Sequence, residues 1–380
     1  MSYGQNAAES DDNVAAYDGP QSSADLTVRR QASFDPHESI GISADLSPYD
    51  DYSADDPAGE FDIERAARFI DGVAVKWGAK HGCVTCHTNG YYLIAPADIF
   101  RDRAAALAVR DFAEGWVDSW QETGLPRTEI VVAPAAFLTI NNMQMDGELR
   151  PATIKALDEA WSLQGAEGNW PTWLKCNWPP FEQDDHYGVT LMTIAMGMAP
   201  ASYTNIEPAR SGITGLLNYL RNNKPEEVHH RAMMLWADQY FEDVVSDADR
   251  EAWITELLAL QKESGGWASG DLGSWRQRAP ESGGIDHLTD AFVAREYPPV
   301  MIDPNGDGYG TGFVTYVLIE AGVPTSHPQI QMAIAWLKSN QHADGKWFTN
   351  SLRNEGDTSN FLTHTGTTFA LKALAAANQN

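Results

Sequence analysis

The spacing Gln-x3-Gly-x-Trp occurs three times in this chain: Gln164, Gly168 and Trp170 in "LQGAEGNW", Gln261, Gly265 and Trp267 in "LQKESGGW", and Gln341, Gly345 and Trp347 in "NQHADGKW". A spacing kept over such distances marks a repeated supersecondary unit, which constrains a fold more than any local propensity does. Each copy follows an amphipathic helical stretch, respectively "PATIKALDEAWSL", "DREAWITELLAL" and "HPQIQMAIAWLKS". Each precedes, after a loop, a segment apolar on nearly every face: "DDHYGVTLMTIAMGMAP", "GYGTGFVTYVLIEAGV" and "HTGTTFALKALAAA". A helix that is apolar all round has to be surrounded by others. The second member of each pair therefore reads as an inner layer and the first as an outer layer. In the turn between them the Gln amide can bind free backbone groups at a helix end, the Gly permits a left-handed turn, and the Trp ring can cover a neighbouring helix.

Weaker pairs fill the remaining chain: "DIERAARFIDGVAVKWG" with "YYLIAPADIF", "EGWVDSWQETG" with "IVVAPAAFLTINNMQM", and "SGITGLLNYLRNN" with "HHRAMMLWADQYF". About six hairpins result, enough to close a ring, and the spacing predicts an all-α fold, an α/α toroid over residues 61–380. Residues 1–60 are rich in Asp, Ser, Ala, Gly and Pro with apolar residues scattered singly, so they cannot bury enough surface to offset their ordering entropy. They read as a flexible acidic arm able to clasp a second copy of the chain.

Charge excludes some partners. Lys and Arg number 26 against 53 Asp and Glu, a formal charge of −27, with no basic block to capture nucleic acid or an anionic membrane. No run approaches the length of a membrane-spanning helix. The first residues as written lack the basic and apolar regions of a secretory signal, so nothing in them directs export.

The Gln-x3-Gly-x-Trp units, "AIAWLKSNQHADGKW" above all, resemble the QW motifs of squalene-hopene cyclases and their relatives in the terpenoid cyclase and protein prenyltransferase superfamily. The resemblance spans roughly residues 60–380 and implies a toroid; it says less about the reaction, because one scaffold hosts many activities. Class II cyclases of this kind protonate an alkene with an aspartic acid from a D-x-D-D motif. "FEQDDHYGV" places Glu182, Asp184 and Asp185 at the corresponding point, with Glu in place of the first Asp, and the resemblance makes Asp184 the proton donor to an isoprenoid substrate. The same acids also suit the capping of an inner helix. Prenyltransferase subunits bind zinc through an Asp, a Cys and a late His; His364 stands where that His would, with no Asp-x-Cys before it.

Two of the three cysteines lie in "HGCVTCHTNGYYL", where the first hairpin's staple should be. Cys83-x-x-Cys86-His87 would arise by chance in fewer than about one in a hundred chains of this composition. The spacing suits haem c: two thiols reach the vinyl groups as thioethers, and the adjacent imidazole of His87 reaches the iron. The stretch also resembles a C-x-x-C-H segment of exported bacterial QW-repeat proteins, which implies a periplasmic or extracellular location; without haem the expectation is the cytoplasm. Zinc held by Cys83, Cys86, His87 and a fourth ligand such as His364 or His287 is the competing reading, and buried structural thiols are another. In a closed ring the last hairpin lies beside the first, which makes His364 the candidate distal ligand, with His186, His229 and His230 also near predicted inner-helix starts. A haem would make the chain an electron carrier, steered by its acidity to a basic redox partner.

Finally, Asp303, Asn305 and Asp307 in "DPNGDGYG" mimic the opening of a calcium-binding EF-hand loop, although its twelfth position is Val314. A glycine-rich turn leading into a helix accounts for the stretch equally well.

Overall fold

The computed structural model describes residues 55, 56, 58–173, 180, 181, 185–275, 302–352 and 361–379. Among the described residues, twelve principal helices alternate between two layers. The outer ones are α1 (Ile63–His81), α3 (Ala104–Asp118), α5 (Pro151–Ser162), α7 (Ala209–Asn222), α9 (Asp247–Ala259) and α11 (Pro328–Ser339). The inner ones are α2 (Thr88–Leu93), α4 (Thr128–Met145), α6 (Asp185–Met198), α8 (Val228–Asp238), α10 (Gly308–Glu320) and α12 (Phe361–Gln379). Each inner helix packs on the next around the ring, and α12 returns to pack on both α2 and α1. The ring is closed, and the expected α/α toroid of six hairpins is the fold.

The outer-to-inner order follows from apolar patterning. Inner helix α10 buries every residue from Gly308 to Ile319, whereas outer α11 buries only Ile330, Ala333, Trp336 and Leu337, one stripe at helical spacing. Inner-helix starts meet other inner-helix starts. Thr88 touches His364, His186 lies against His230, and His229 bonds Tyr309, so the N-termini of α2, α6, α8, α10 and α12 share one lip of the ring.

The three Gln-x3-Gly-x-Trp units do a more specific job than their spacing predicted. Each Trp indole N–H donates to a carbonyl ten residues back, capping its own outer helix: Trp170 to Ala160 at 2.9 Å, Trp267 to Leu257 at 2.6 Å and Trp347 to Leu337 at 2.7 Å. Each Gln amide bridges its own turn to the following outer helix of the ring. Gln164 Nε2 donates to the Gly168 and Gly212 carbonyls, and Gln261 Nε2 to those of Gly265 and Gln329. The third unit joins the ends of the chain. Gln341 Nε2 donates to the Asp62 and Gly345 carbonyls at 3.0 and 2.9 Å, while its Oε1 accepts from the Asp62 amide at 2.6 Å. The glycines take φ of 89°, 95° and 104°, and a Cβ on Gly345 would lie 2.5 Å from the Arg65 backbone, so close approach and a left-handed turn both require Gly there.

The boundary of the N-terminal arm lies earlier than the sequence suggested. Gly59 N donates to the Gln341 carbonyl at 2.9 Å, Ala58 forms a β-bridge with His342, and Asp56 pairs with the buried Lys346 ammonium at 2.8 Å. Residues 56 and 58–60 are thus docked over the closing staple, since that staple presents backbone and an ammonium to them.

Candidate functional site: the thiol and imidazole lip

Helix α1 ends in a left-handed Gly82, with φ 67°, and the chain turns at once into the segment Cys83–His87 before α2. No Gln-Gly-Trp staple stands here; a short hydrogen-bonded loop takes its place, as the sequence indicated. Asn89, 1 % exposed, ties the loop together. Its Nδ2 donates to the Cys83 carbonyl at 2.9 Å and its Oδ1 accepts from the Thr85 amide at 3.1 Å and the Thr85 hydroxyl at 3.2 Å. Tyr187, from α6 across the ring, donates its hydroxyl to the Cys86 carbonyl at 3.0 Å. A Cβ on Gly90 would overlap the Thr85 carbonyl oxygen and lie 2.7 Å from the Phe137 ring, so the loop can lie this tightly on α2 only because residue 90 is Gly. The Cys83 and Cys86 thiols are both reduced and buried.

His87 is buried beside them. Its ring stacks on Phe361 at 3.8 Å between centroids and meets the Trp77 ring edge-on at 4.9 Å. Nδ1 lies 2.9 Å from the Thr88 hydroxyl and 3.4 Å from the Thr85 hydroxyl, and Nε2 has no hydrogen-bond partner among the described residues. On the far side of Thr88, the same hydroxyl stands 3.3 Å from His364 Nδ1. Ring closure therefore joins His87 and His364, 277 positions apart, through one side chain. Burial holds both imidazoles neutral. It pushes His87 well below the usual histidine range, with His364 and His81 adding to the effect, and takes His364 down to about 3 with help from the Lys76 ammonium.

The other histidines divide. His186, His229 and His230 lie on the same lip but form a separate group, with His186 and His230 ring centroids 6.2 Å apart and His229 Nε2 2.6 Å from the Tyr309 hydroxyl. His287, Glu182, Asp184 and Cys176 lie outside the described residues. Asp185 opens α6 and accepts from Asn169 Nδ2 at 2.9 Å. Among the described residues no three His, Cys, Asp or Glu side chains converge as a metal shell.

The calcium-like stretch is occupied by protein donors. Asp307 caps α10: Oδ1 accepts from the Gly310 amide at 2.8 Å and the Thr349 hydroxyl at 3.3 Å, and Oδ2 from the Ser269 amide and hydroxyl at 2.7 and 2.8 Å. Asp303 Oδ1 accepts from the Asn305 amide at 2.8 Å, and the Asn305 carbonyl accepts from the Trp336 indole at 2.8 Å. The motif is a helix start, with the Asp carboxylate facing the free N–H groups and the positive end of the helix dipole.

Below the lip the ring's axis is filled by aromatic side chains. Tyr91 lies 5.0 Å from Phe137 and 5.4 Å from both Phe181 and Phe369, and Tyr309 lies 6.1 Å from Phe181 and 5.8 Å from Phe369. All five are fully buried, and at this level side chains take up the interior that a cyclase would reserve for a polyene.

Thr88, Asn89, Tyr187, Trp77 and Phe361 were not singled out by the sequence. Asn89-Gly90, one residue after the C-x-x-C-H segment, was a readable signal, because a polar residue with a following Gly often serves a close loop. Nothing local pointed to Tyr187 or Phe361.

No family model and no curated protein matches the chain. Among solved structures it is similar to a possible member of the GH105 family from Klebsiella pneumoniae subsp. pneumoniae MGH 78578, with 12% identity over 77% of this chain and 81% of that one at a TM-score of 0.44. It is also similar to a possible GH105 member from Salmonella enterica subsp. enterica serovar Paratyphi A str. ATCC 9150, with 11% identity over 93% and 94% of the two chains at a TM-score of 0.43. Likenesses at this level carry no argument about function.

Proposed function

We propose that the chain is a c-type haem protein built on a QW-repeat toroid, in which Cys83 and Cys86 form the two thioethers and His87 is the axial ligand. One observation carries the reading: directly after two reduced thiols stands a buried imidazole whose Nδ1 is anchored by Thr88 and Thr85, with no hydrogen bond to its Nε2 among the described residues. A ligating His characteristically has its other ring nitrogen fixed by a second-shell partner, which sets the tautomer and the ring plane. Bound haem would supply one-electron redox chemistry. The chain's own residues fix the loop carbonyls through Asn89 and Tyr187, clamp the imidazole between Phe361 and Trp77, and exclude water from it.

The competing readings have less behind them. Zinc needs about four convergent donors, and the described residues offer no such shell. An isoprenoid cyclase needs an open apolar interior, whereas rings in mutual contact occupy the axis. A calcium ion would compete with donors already engaged by Asp307. Covalent haem attachment normally takes place outside the cytoplasm, which puts the working protein in the periplasm or beyond. The charge of −27 favours a basic redox partner.

The test is spectroscopic. Protein produced with an export signal and the haem-attachment machinery should show a Soret band that survives acid-acetone extraction. Cys83→Ala with Cys86→Ala should lose it. A colourless protein from a host that matures a control cytochrome would refute the proposal.

A further inference from the structure

We infer that Tyr309 and His229 form a one-electron redox site on the lip, in which Tyr309 gives an electron to a high-potential one-electron acceptor while its hydroxyl proton passes to His229. The pair needs no haem.

Two inner-helix starts build it. Tyr309 is the second residue of α10 and His229 the second residue of α8, and both are fully buried. The Tyr309 hydroxyl stands 2.6 Å from His229 Nε2, and the imidazole stacks on Phe313 at 4.6 Å between centroids, which fixes its plane. Among the described residues His229 Nε2 is the hydroxyl's one hydrogen-bond partner, so the phenol proton points at it and the neutral imidazole carries its own proton on Nδ1. The reverse arrangement strands two buried groups instead of one: the hydroxyl proton, and a bare Nδ1 that has no partner among the described residues.

The neighbouring buried tyrosines lack a base. Tyr187 gives its proton to the Cys86 carbonyl at 3.0 Å, and Tyr91 has the Tyr187 hydroxyl, 3.3 Å away, as its partner. Neither a carbonyl nor a hydroxyl keeps a phenol's proton, whereas a neutral imidazole does. Burial holds the resting pair neutral. It pushes Tyr309 well above the usual phenol range, with Tyr91 and Asp307 adding to the effect, and His229 well below the usual histidine range, with His230 adding. Simple ionisation of Tyr309 is therefore suppressed. Oxidation reverses the balance, because a phenol that has lost an electron is a far stronger acid than an imidazolium. The O–H bond breaks, an N–H bond forms at Nε2, and the products are a neutral phenoxyl, an imidazolium and a reduced acceptor. Asp307, which caps α10 two residues before Tyr309, offsets the new positive charge. Packed rings give the electron a way out. Phe369 and Phe181 lie 5.8 and 6.1 Å from Tyr309, each lies 5.4 Å from Tyr91, and the Tyr91 and Tyr187 hydroxyls lead on to the Cys86 carbonyl.

EPR of the full-length protein tests the site. After a flash with tris(bipyridine)ruthenium and persulfate, a tyrosyl signal should form and persist, because a buried radical is shielded from the encounters that quench surface ones. Tyr309→Phe should lose this persistent signal. In protein exchanged into deuterium oxide, the radical should show one strongly coupled deuteron at the phenoxyl oxygen, and labelled histidine should add a nitrogen-15 coupling; this readout needs no substitution. His229→Phe should slow the appearance of the signal about a hundredfold, the contribution of a positioned proton acceptor. An unchanged signal in Tyr309→Phe, a parent radical without the deuteron coupling, or formation at the parental rate in His229→Phe would each overturn the inference. The haem reading stands or falls separately, on the covalent Soret band.

Discussion

Replacing Gln341 should loosen the whole ring, because this side chain ties the last outer helix to the first. Gln341 is fully buried and makes three hydrogen bonds, two with Asp62 backbone groups and one with the Gly345 carbonyl. Gln341→Ala removes all three. A buried hydrogen bond contributes about 1 kcal/mol net, and a buried group left unsatisfied costs about 1–3 kcal/mol. With some water entry at the half-buried Asp62, the expected loss is about 3–5 kcal/mol. Gln164→Ala is the matched control. Its amide makes two bonds, to Gly168 and Gly212, from a half-buried position where water can replace it, and the expected loss is about 1–2 kcal/mol. Urea unfolding of the two variants beside the parent protein measures both, with the midpoint shift converted through a common slope. Amide exchange should quicken first in α1 and α11 of Gln341→Ala, and in α5 and α7 of Gln164→Ala. Equal losses in the two variants, or faster exchange spread evenly over the ring, would refute the idea that the third staple closes the ring.

Gly90→Ala should cost more than 3 kcal/mol or so, because the added methyl overlaps the Thr85 carbonyl and neither backbone segment can move freely; thermal unfolding checks this, and the variant should also retain less covalent haem. Burial raises the Asp307 carboxyl to about 6, against the pull of the Gly310 and Ser269 donors. Between about pH 4 and pH 6 the folded protein therefore keeps a proton that the unfolded chain has released, and stability relative to Asp307→Asn should fall across that window by roughly 3 kcal/mol, then level off above about pH 7. Unfolding titrations of the pair at several pH values measure it; a difference that grows in favour of Asp as pH rises would contradict the assignment.

The repeat was legible because it is local. Trp170, Trp267 and Trp347 each cap a carbonyl ten residues back, an interaction contained in one helix and its turn, so a fixed spacing records it. The layer of each helix was legible for the same reason: α10 is apolar on all sides and α11 on one stripe. The docking of Asp56 and residues 58–60 was not legible, since its partners Gln341, His342 and Lys346 come from the other end of the chain. Asp307 looked like a cation ligand because an EF-hand opening and a helix cap use the same residue types; only the positions of Ser269 and Thr349 separate them.

The sequence by itself determined a ring of helix pairs and a thiol–thiol–imidazole segment in the place of one staple, because helical period, turn chemistry and side-chain spacing are set by backbone geometry over a few residues. The tertiary structure alone decided that His364 comes to Thr88, that Tyr187 reaches the Cys86 carbonyl and that aromatic rings fill the axis. Those contacts exist only once the ring has closed, and closure is a property of all six hairpins packed together.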